Sequence, residues 1–135
     1  MCGVNMDKYP DQLPTITLSI SQALVDKYSE ASGDHNPIHQ DTKAAYEGPF
    51  GQPVAHGMLV LSTASQIMTT TFDKQWVEKG NLKVRWKSPA LIPNNIHTSA
   101  RLKSASQEQV KYEIECKDDS DTLLFSGTAT LHLDP

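Results

Sequence analysis

An α+β domain is the architecture this sequence predicts: a curved antiparallel sheet wrapped around one almost uncharged helix. Three observations predict it. From Gly48 to Phe72 there is no Asp, Glu, Lys or Arg. After Gly80 the chain turns to segments in which apolar and polar residues alternate. Ahead of both, a strand pattern passes into a helix pattern between Thr15 and Ala31. With 135 residues the chain has room for one domain, 1–135, which buries roughly two-thirds of its unfolded surface.

Thr15 to Ile20 sets Ile16, Leu18 and Ile20 on one face, the period of a strand. Ser19 or Ser21 caps the helix that follows through Ala31. Ser19 with Gln22 has capping-box spacing, and Gly33 is a natural stop. Pro37 removes a backbone donor and pushes Asn36 to extended geometry, so Asp34 to His39 cannot be regular helix. Asp41 to Glu47 reads as a short helix ended by Gly48 and Pro49. The charge-free helix then runs from near Gly57 to about Phe72. Its apolar part, Met58 to Met68, falls far short of the roughly 20 residues a membrane span needs. It is therefore expected to be covered by protein on nearly every side.

The strands come next. Leu82, Val84 and Trp86 alternate with Lys83, Arg85 and Lys87, and Ser88-Pro89 closes the run. Ile96 to Leu102 is a weaker strand. Val110, Tyr112, Ile114 and Cys116 alternate with charged residues, and Asp118 to Asp121 supplies a turn. Leu123 to Leu133 is the last strand, with Gly127 read as a bulge. Consecutive strands joined by short turns make an antiparallel sheet with one wet face.

Composition narrows the function classes. Apolar residues at 38% and charged residues at 21% exclude a disordered or collagenous chain. Twelve basic against 16 acidic residues give a net charge of −4. The basic side chains are scattered, so the footprint of a nucleic-acid or membrane-surface protein is missing. Cys2 and Cys116 form no CxxC pair and no disulfide framework, which makes a reducing cytoplasm the simplest setting. Met1 to Pro14 carries no apolar core of a signal peptide.

Two segments carry the chemistry. Ser32-Gly33-Asp34-His35-Asn36-Pro37-Ile38-His39 holds a carboxylate and an imidazole in one stiffened loop. Such a pair suits a single water, with Asp taking a proton and His giving or sharing one. On the residues alone, a polar loop in which Asp34 and Asn36 cap backbone groups and the histidines are exposed is the simpler reading. His35 and His39 stand four apart, but Pro37 breaks the helix a metal pair would use, and no further ligand cluster follows, so no metal is expected. The second segment is Phe50-Gly51-Gln52-Pro53-Val54-Ala55-His56-Gly57-Met58. It opens the charge-free helix, whose first N–H groups lack intrahelical partners and favour an anion. Gly57 lets another group approach the backbone closely. A plain tight turn before a core helix is the alternative. Ser62 and Ser65 lie within the helix, where hydroxyls usually bond back to a carbonyl of the preceding turn.

Together, Ser-Gly-Asp-x-Asn-Pro-x-His and Phe-Gly-x-Pro-x-x-His-Gly-Met resemble the MaoC-like (R)-specific enoyl-CoA hydratases and dehydratases, which have a hot-dog fold. The resemblance runs from about residue 15 to the end. It implies Asp34 and His39 as the catalytic pair, the Gly57 amide as oxyanion donor, and Ser65 as a hydrogen-bonding support for Asp34. Asn36 and His56 complete the substrate-binding candidates, with His56 read more as structural support than as a catalyst. The implied reaction adds water to a trans-2-enoyl thioester to give the (R)-3-hydroxyacyl thioester, or reverses it. No cofactor is implied beyond the CoA or acyl-carrier-protein handle of the substrate. His35 fills a slot where an apolar residue would be unsurprising. A single short domain, lacking the second repeat of some relatives, implies a cytoplasmic homodimer with no nucleic-acid or membrane partner. A hot-dog thioesterase would call for a carboxylate on the central helix, and Gly48 to Phe72 has none. A non-catalytic acyl-binding subunit would show the loss of Asp34 or His39, and both are present. Lys83, Arg85, Lys87, Arg101 and Lys103 are candidates for the CoA phosphates or, more simply, a solvated strand face.

Overall fold

The computed structural model describes residues 8–134. Cys2 and the first half of the Met1–Pro14 stretch lie outside the described residues. Strand β1 (Ile16–Ile20) leads into α1 (Gln22–Ser32), whose N-cap is Ser21, with its side chain accepting from the Leu24 N–H. Gly33 stops α1 in the left-handed region at φ 78°, and its N–H returns to the Ser29 carbonyl. A 3₁₀ turn at Pro37–His39 and a short α2 (Lys43–Glu47) follow. The central helix α3 covers Gly57–Phe72, the span its lack of charge predicts.

Asp73, at φ 50°, breaks the chain into a further helix, α4 (Lys74–Lys79), which local sequence does not announce. What holds it is tertiary: Trp76 is buried and donates its Nε1–H to Ser65 Oγ. Four strands complete the fold: β2 (Gly80–Trp86), β3 (Asn94–Ala105), β4 (Gln109–Asp118) and β5 (Leu123–His132).

The sheet is antiparallel, in the order β1-β3-β4-β5-β2. Its order departs from a run of consecutive hairpins. β2 crosses to pair with β5 at one edge, and β1 pairs with β3 at the other. Gly127 is a second departure. It sits in unbroken register opposite Val84 and Ile114, and the irregularities fall instead between Leu102 and Ser104 and between Cys116 and Lys117. Its purpose is room, because a Cβ there would meet the Lys83 carbonyl oxygen at 2.1 Å.

The concave face packs Tyr112, Ile114, Leu124, Phe125 and Leu131 against Leu59, Val60, Ala64, Ile67 and Met68 of α3. Burial of these large side chains supplies the main driving force, at roughly 25 cal/mol per Å² removed from water. One polar contact interrupts this core: Thr63 Oγ1 and Thr98 Oγ1 share a hydrogen bond at 2.6 Å. The Cys116 thiol beside them is pushed up by burial. The expectation that α3 is covered nearly all round is corrected, since Met58, Ser62, Ser65 and Gln66 form an uncharged stripe open to solvent. Charge is absent from α3 on its wet side as well as its dry one.

Candidate active site

Backbone pairing brings the two sequence segments together. The Val54 N–H donates to the Ile38 carbonyl at 3.0 Å, and the Ala55 N–H donates to Ala90 at 2.8 Å. The loop before α3 is thus strapped to the Pro37–His39 turn on one side and to the approach to β3 on the other. Gln22 Nε2 of α1 holds the His39 carbonyl at 2.8 Å.

His39 is fixed by this frame. Its Nδ1 lies 2.8 Å from the Val54 carbonyl. A carbonyl only accepts, so Nδ1 donates and Nε2 is left facing the site. That Nε2 is 3.7 Å from Asp34 Oδ2. The His39 side chain is 11% exposed and the Asp34 side chain 52%, so the pair sits at a boundary between protein and solvent. The other Asp34 oxygen, Oδ1, accepts from the Asn36 N–H, and the Asp34 N–H donates to Ser32 Oγ. These local bonds aim Oδ2 at the imidazole.

The start of α3 faces the same space. The Leu59 and Val60 N–H groups both donate to the His56 carbonyl, and among the described residues no side chain caps the helix. The Gly57 N–H is therefore presented at the positive end of a 16-residue helix. Tyr28, Asp34, Gly57, Met58 and Trp86 line a cavity of about 360 Å³ here, with His56 in its wall and His39 reaching it only through Asp34. A larger groove of about 940 Å³ lies between Tyr9, Phe72, Gln75 and Leu133, but it offers no imidazole. Volume alone would favour the groove; Asp34, with His39 beside it, and the open helix start favour the smaller cavity.

Other expected residues land elsewhere. Ser65 does not support Asp34. It lies on the exposed side of α3, and its Oγ accepts from Trp76 Nε1–H at 3.2 Å. Eight residues separate it from Gly57, about 12 Å of helix. Asn36 turns its Oδ1 back onto the Ile38 N–H at 3.2 Å, so that oxygen caps the 3₁₀ turn rather than reaching for substrate. His56 is buried behind His39, with ring centroids 3.9 Å apart. Asp34, His39 and His56 place one ligand-type atom each within 4.8 Å of one another. The His39 and His56 rings are stacked at 29°. His56 Nε2 is taken by the Asp34 carbonyl at 3.0 Å. Arg101 and Lys103 pair with Glu113 on the outer sheet face, and that contact holds the Glu113 carboxyl below its ordinary value. Among the described residues, no helix is long and apolar enough to cross a membrane.

Residues 4–122 match the family model described as MaoC like domain. The chain belongs to that family. Within the family's reach, 3-hydroxyacyl-thioester dehydratase Z of Mycobacterium tuberculosis is 32% identical over 89 residues, 63% of this chain and 59% of that protein. The chain therefore spans less than two-thirds of that relative's length. Nodulation protein N of Rhizobium meliloti is 31% identical over 108 residues, 72% of this chain and 67% of that protein. Among solved structures, the (R)-hydratase from A. caviae involved in PHA biosynthesis superposes with TM-score 0.75 at 19% identity, covering 94% of this chain and 99% of that one. A MaoC-like dehydratase gives TM-score 0.81 at 20% identity over 98% of this chain and 43% of its own. These likenesses carry the fold, and it is the hot-dog fold.

Tyr28 and Ser29 are the site residues that sequence reasoning missed. Both project from the last turns of α1, and Ser29 is buried with its Oγ 3.2 Å from His56 Nε2. The available signal was position alone: they stand one turn ahead of Gly33, where α1 hands over to the Asp34 loop.

Proposed function

We propose that this protein is a hydro-lyase that adds water to trans-2-enoyl thioesters, giving (R)-3-hydroxyacyl thioesters, and that it also runs the reverse dehydration. One observation carries the reading. Asp34 Oδ2 and His39 Nε2 face each other across 3.7 Å beside the open N-terminus of α3. A water bridging that gap lies within hydrogen-bond reach of both groups. As its oxygen attacks C3, Asp34 withdraws a proton, while His39, entering the step with a proton on Nε2 as well as on Nδ1, orients the water and delivers the Nε2 proton to C2. The proton on Asp34 then crosses to His39 before the next turnover. Negative charge gathering on the thioester oxygen meets the Gly57 N–H, a contact worth about 3–4 kcal/mol when such donors are removed. Because both acid–base groups lie on one side, addition is syn.

The names of the relatives support the substrate class, since dehydratase Z acts on 3-hydroxyacyl thioesters by its name. The handle is CoA or an acyl-carrier protein, and the working form is a homodimer. Two solved neighbours are assemblies of unlike chains, the ChsH1-ChsH2 and HadBC complexes. A thioesterase reading has no carboxylate on α3 to rest on.

The test is hydration of crotonyl-CoA in deuterium oxide, followed by the loss of enoyl absorbance and by chiral analysis. The expected product is R, with deuterium at C2 syn to the hydroxyl. Asp34→Asn should stay folded and turn over at least about a hundredfold more slowly, the low end of general-base catalysis. An S product, anti addition, or full activity of that variant would overturn the assignment. Release of free thiol would point to a thioesterase, and binding without turnover of any enoyl thioester to an acyl-binding subunit.

A further inference from the structure

We propose that His56 is a positioning residue for the Asp34–His39 pair, anchored by Ser29. The inference rests on the hydro-lyase reading and extends it to residues that touch no reacting atom. His56 is 2% exposed. Its ring lies between two others, stacked on His39 at 3.9 Å and 29°, and edge-on to Tyr28 at 4.8 Å and 60°. Its Nε2 is 3.0 Å from the Asp34 carbonyl oxygen and 3.2 Å from Ser29 Oγ. Since the carbonyl only accepts, Nε2 carries the proton and donates.

The opposite nitrogen argues for a specific role. Nδ1 is buried with no hydrogen-bond partner among the described residues. A buried polar atom left unpartnered is destabilising. A phenylalanine could fill the space between Tyr28 and His39 without that cost. An imidazole is therefore retained for what Nε2 and the ring face do together.

Each acts on one member of the pair. The Nε2–H fixes the Asp34 peptide, and with it the point from which the carboxylate starts. The ring face sets the plane of His39, whose Nδ1 is already held by Val54. Ser29 closes the arrangement, since its hydroxyl meets His56 and its carbonyl accepts the Gly33 N–H at 2.9 Å. The end of α1, the Asp34 loop and the start of α3 thus meet at one buried side chain.

Steady-state kinetics on crotonyl-CoA test this with three variants, each checked for folding by circular dichroism. His56→Phe keeps the ring and the volume but loses the donor. It should lower kcat about 10- to 100-fold, the scale of a small misplacement of catalytic groups, with KM changed by less than about threefold. His56→Gln restores a donor near the Nε2 position and should recover a substantial part of that loss. Ser29→Ala should lower kcat in the same direction by less. A loss confined to KM, wild-type kcat in His56→Phe, or no recovery in His56→Gln would overturn the proposal. Nitrogen–proton correlation spectra of the wild-type histidines provide a measurement that needs no variant. A His56 proton on Nε2 is expected, and one on Nδ1 would remove the bond to Asp34 and the proposal with it. Asp34→Asn separates the two readings. If it is inactive while His56→Phe is unimpaired, only the positioning role fails. If it is fully active, there is no pair to position and both fail.

Discussion

Gly57 begins α3 with ordinary helical backbone, so glycine is present for room and not for a left-handed turn. A Cβ there would sit 3.3 Å from Trp86 Cη2 and 3.4 Å from Cζ2. Trp86 is 50% exposed at the end of an edge strand, so it can yield by a few tenths of an ångström. Gly57→Ala is therefore expected to fold, helped slightly by the better helix propensity of alanine. Its methyl group would crowd the approach to the N–H, and kcat/KM should fall at least about tenfold if a developing oxyanion must reach that donor. Unchanged kcat/KM would show that the thioester oxygen binds elsewhere. At this scale the sequence was most legible where spacing does the work. Asp34, His39 and Gly57 stand in motifs whose local geometry is set by Pro37, Gly33 and the helix start. Ser29 was invisible because its role depends on how α1 is rotated against α3, a tertiary fact. Ser65 was misplaced for the same kind of reason, since two helical turns carry it from the Gly57 end to Trp76.

Elements show the same division between local and tertiary control. The caps of α1 and the limits of α3 follow from Ser21, Gly33 and the uncharged run, and the structure has them where those residues stand. The position of β2 does not follow, because nothing local makes a strand after α3 skip its sequence neighbour and pair with β5. Gly127 is what permits that pairing. A methyl group there would lie 2.1 Å from the Lys83 carbonyl oxygen and 2.8 Å from Val84 Cα. Both are backbone atoms of β2, so no side chain can swing aside. Gly127→Ala should destabilise the fold by about 1–3 kcal/mol, as overpacking does, read as a lower urea midpoint at unchanged slope. Trp86 ends the same strand, so kcat/KM should fall with it. Wild-type stability in this variant would mean that β2 stands farther from β5 than described.

For the whole molecule, two surfaces are left without partners among the described residues of the single chain. One is the free edge of β2, seven residues long against five for β1 at the opposite edge. An open edge of unpaired N–H and C=O groups is a template for pairing with another strand. The other is the uncharged stripe of Met58, Ser62, Ser65 and Gln66 on α3. β2 carries Trp86 against Gly57 at the start of that helix, so the two surfaces adjoin at the candidate active site. A two-fold pairing of β2 edges would join two sheets into one and let a single self-complementary surface serve both copies. Light scattering should then give about twice the 14.9 kDa chain mass, and Tm should rise with protein concentration, as it does when folding and association are coupled. Hydrogen exchange identifies the edge. Outward amides of β2 should be protected at high concentration and exchange on dilution, while those of β1 exchange throughout. A monomer at all concentrations would remove the dimer, and a dimer whose β2 amides exchange freely would move the interface away from this edge.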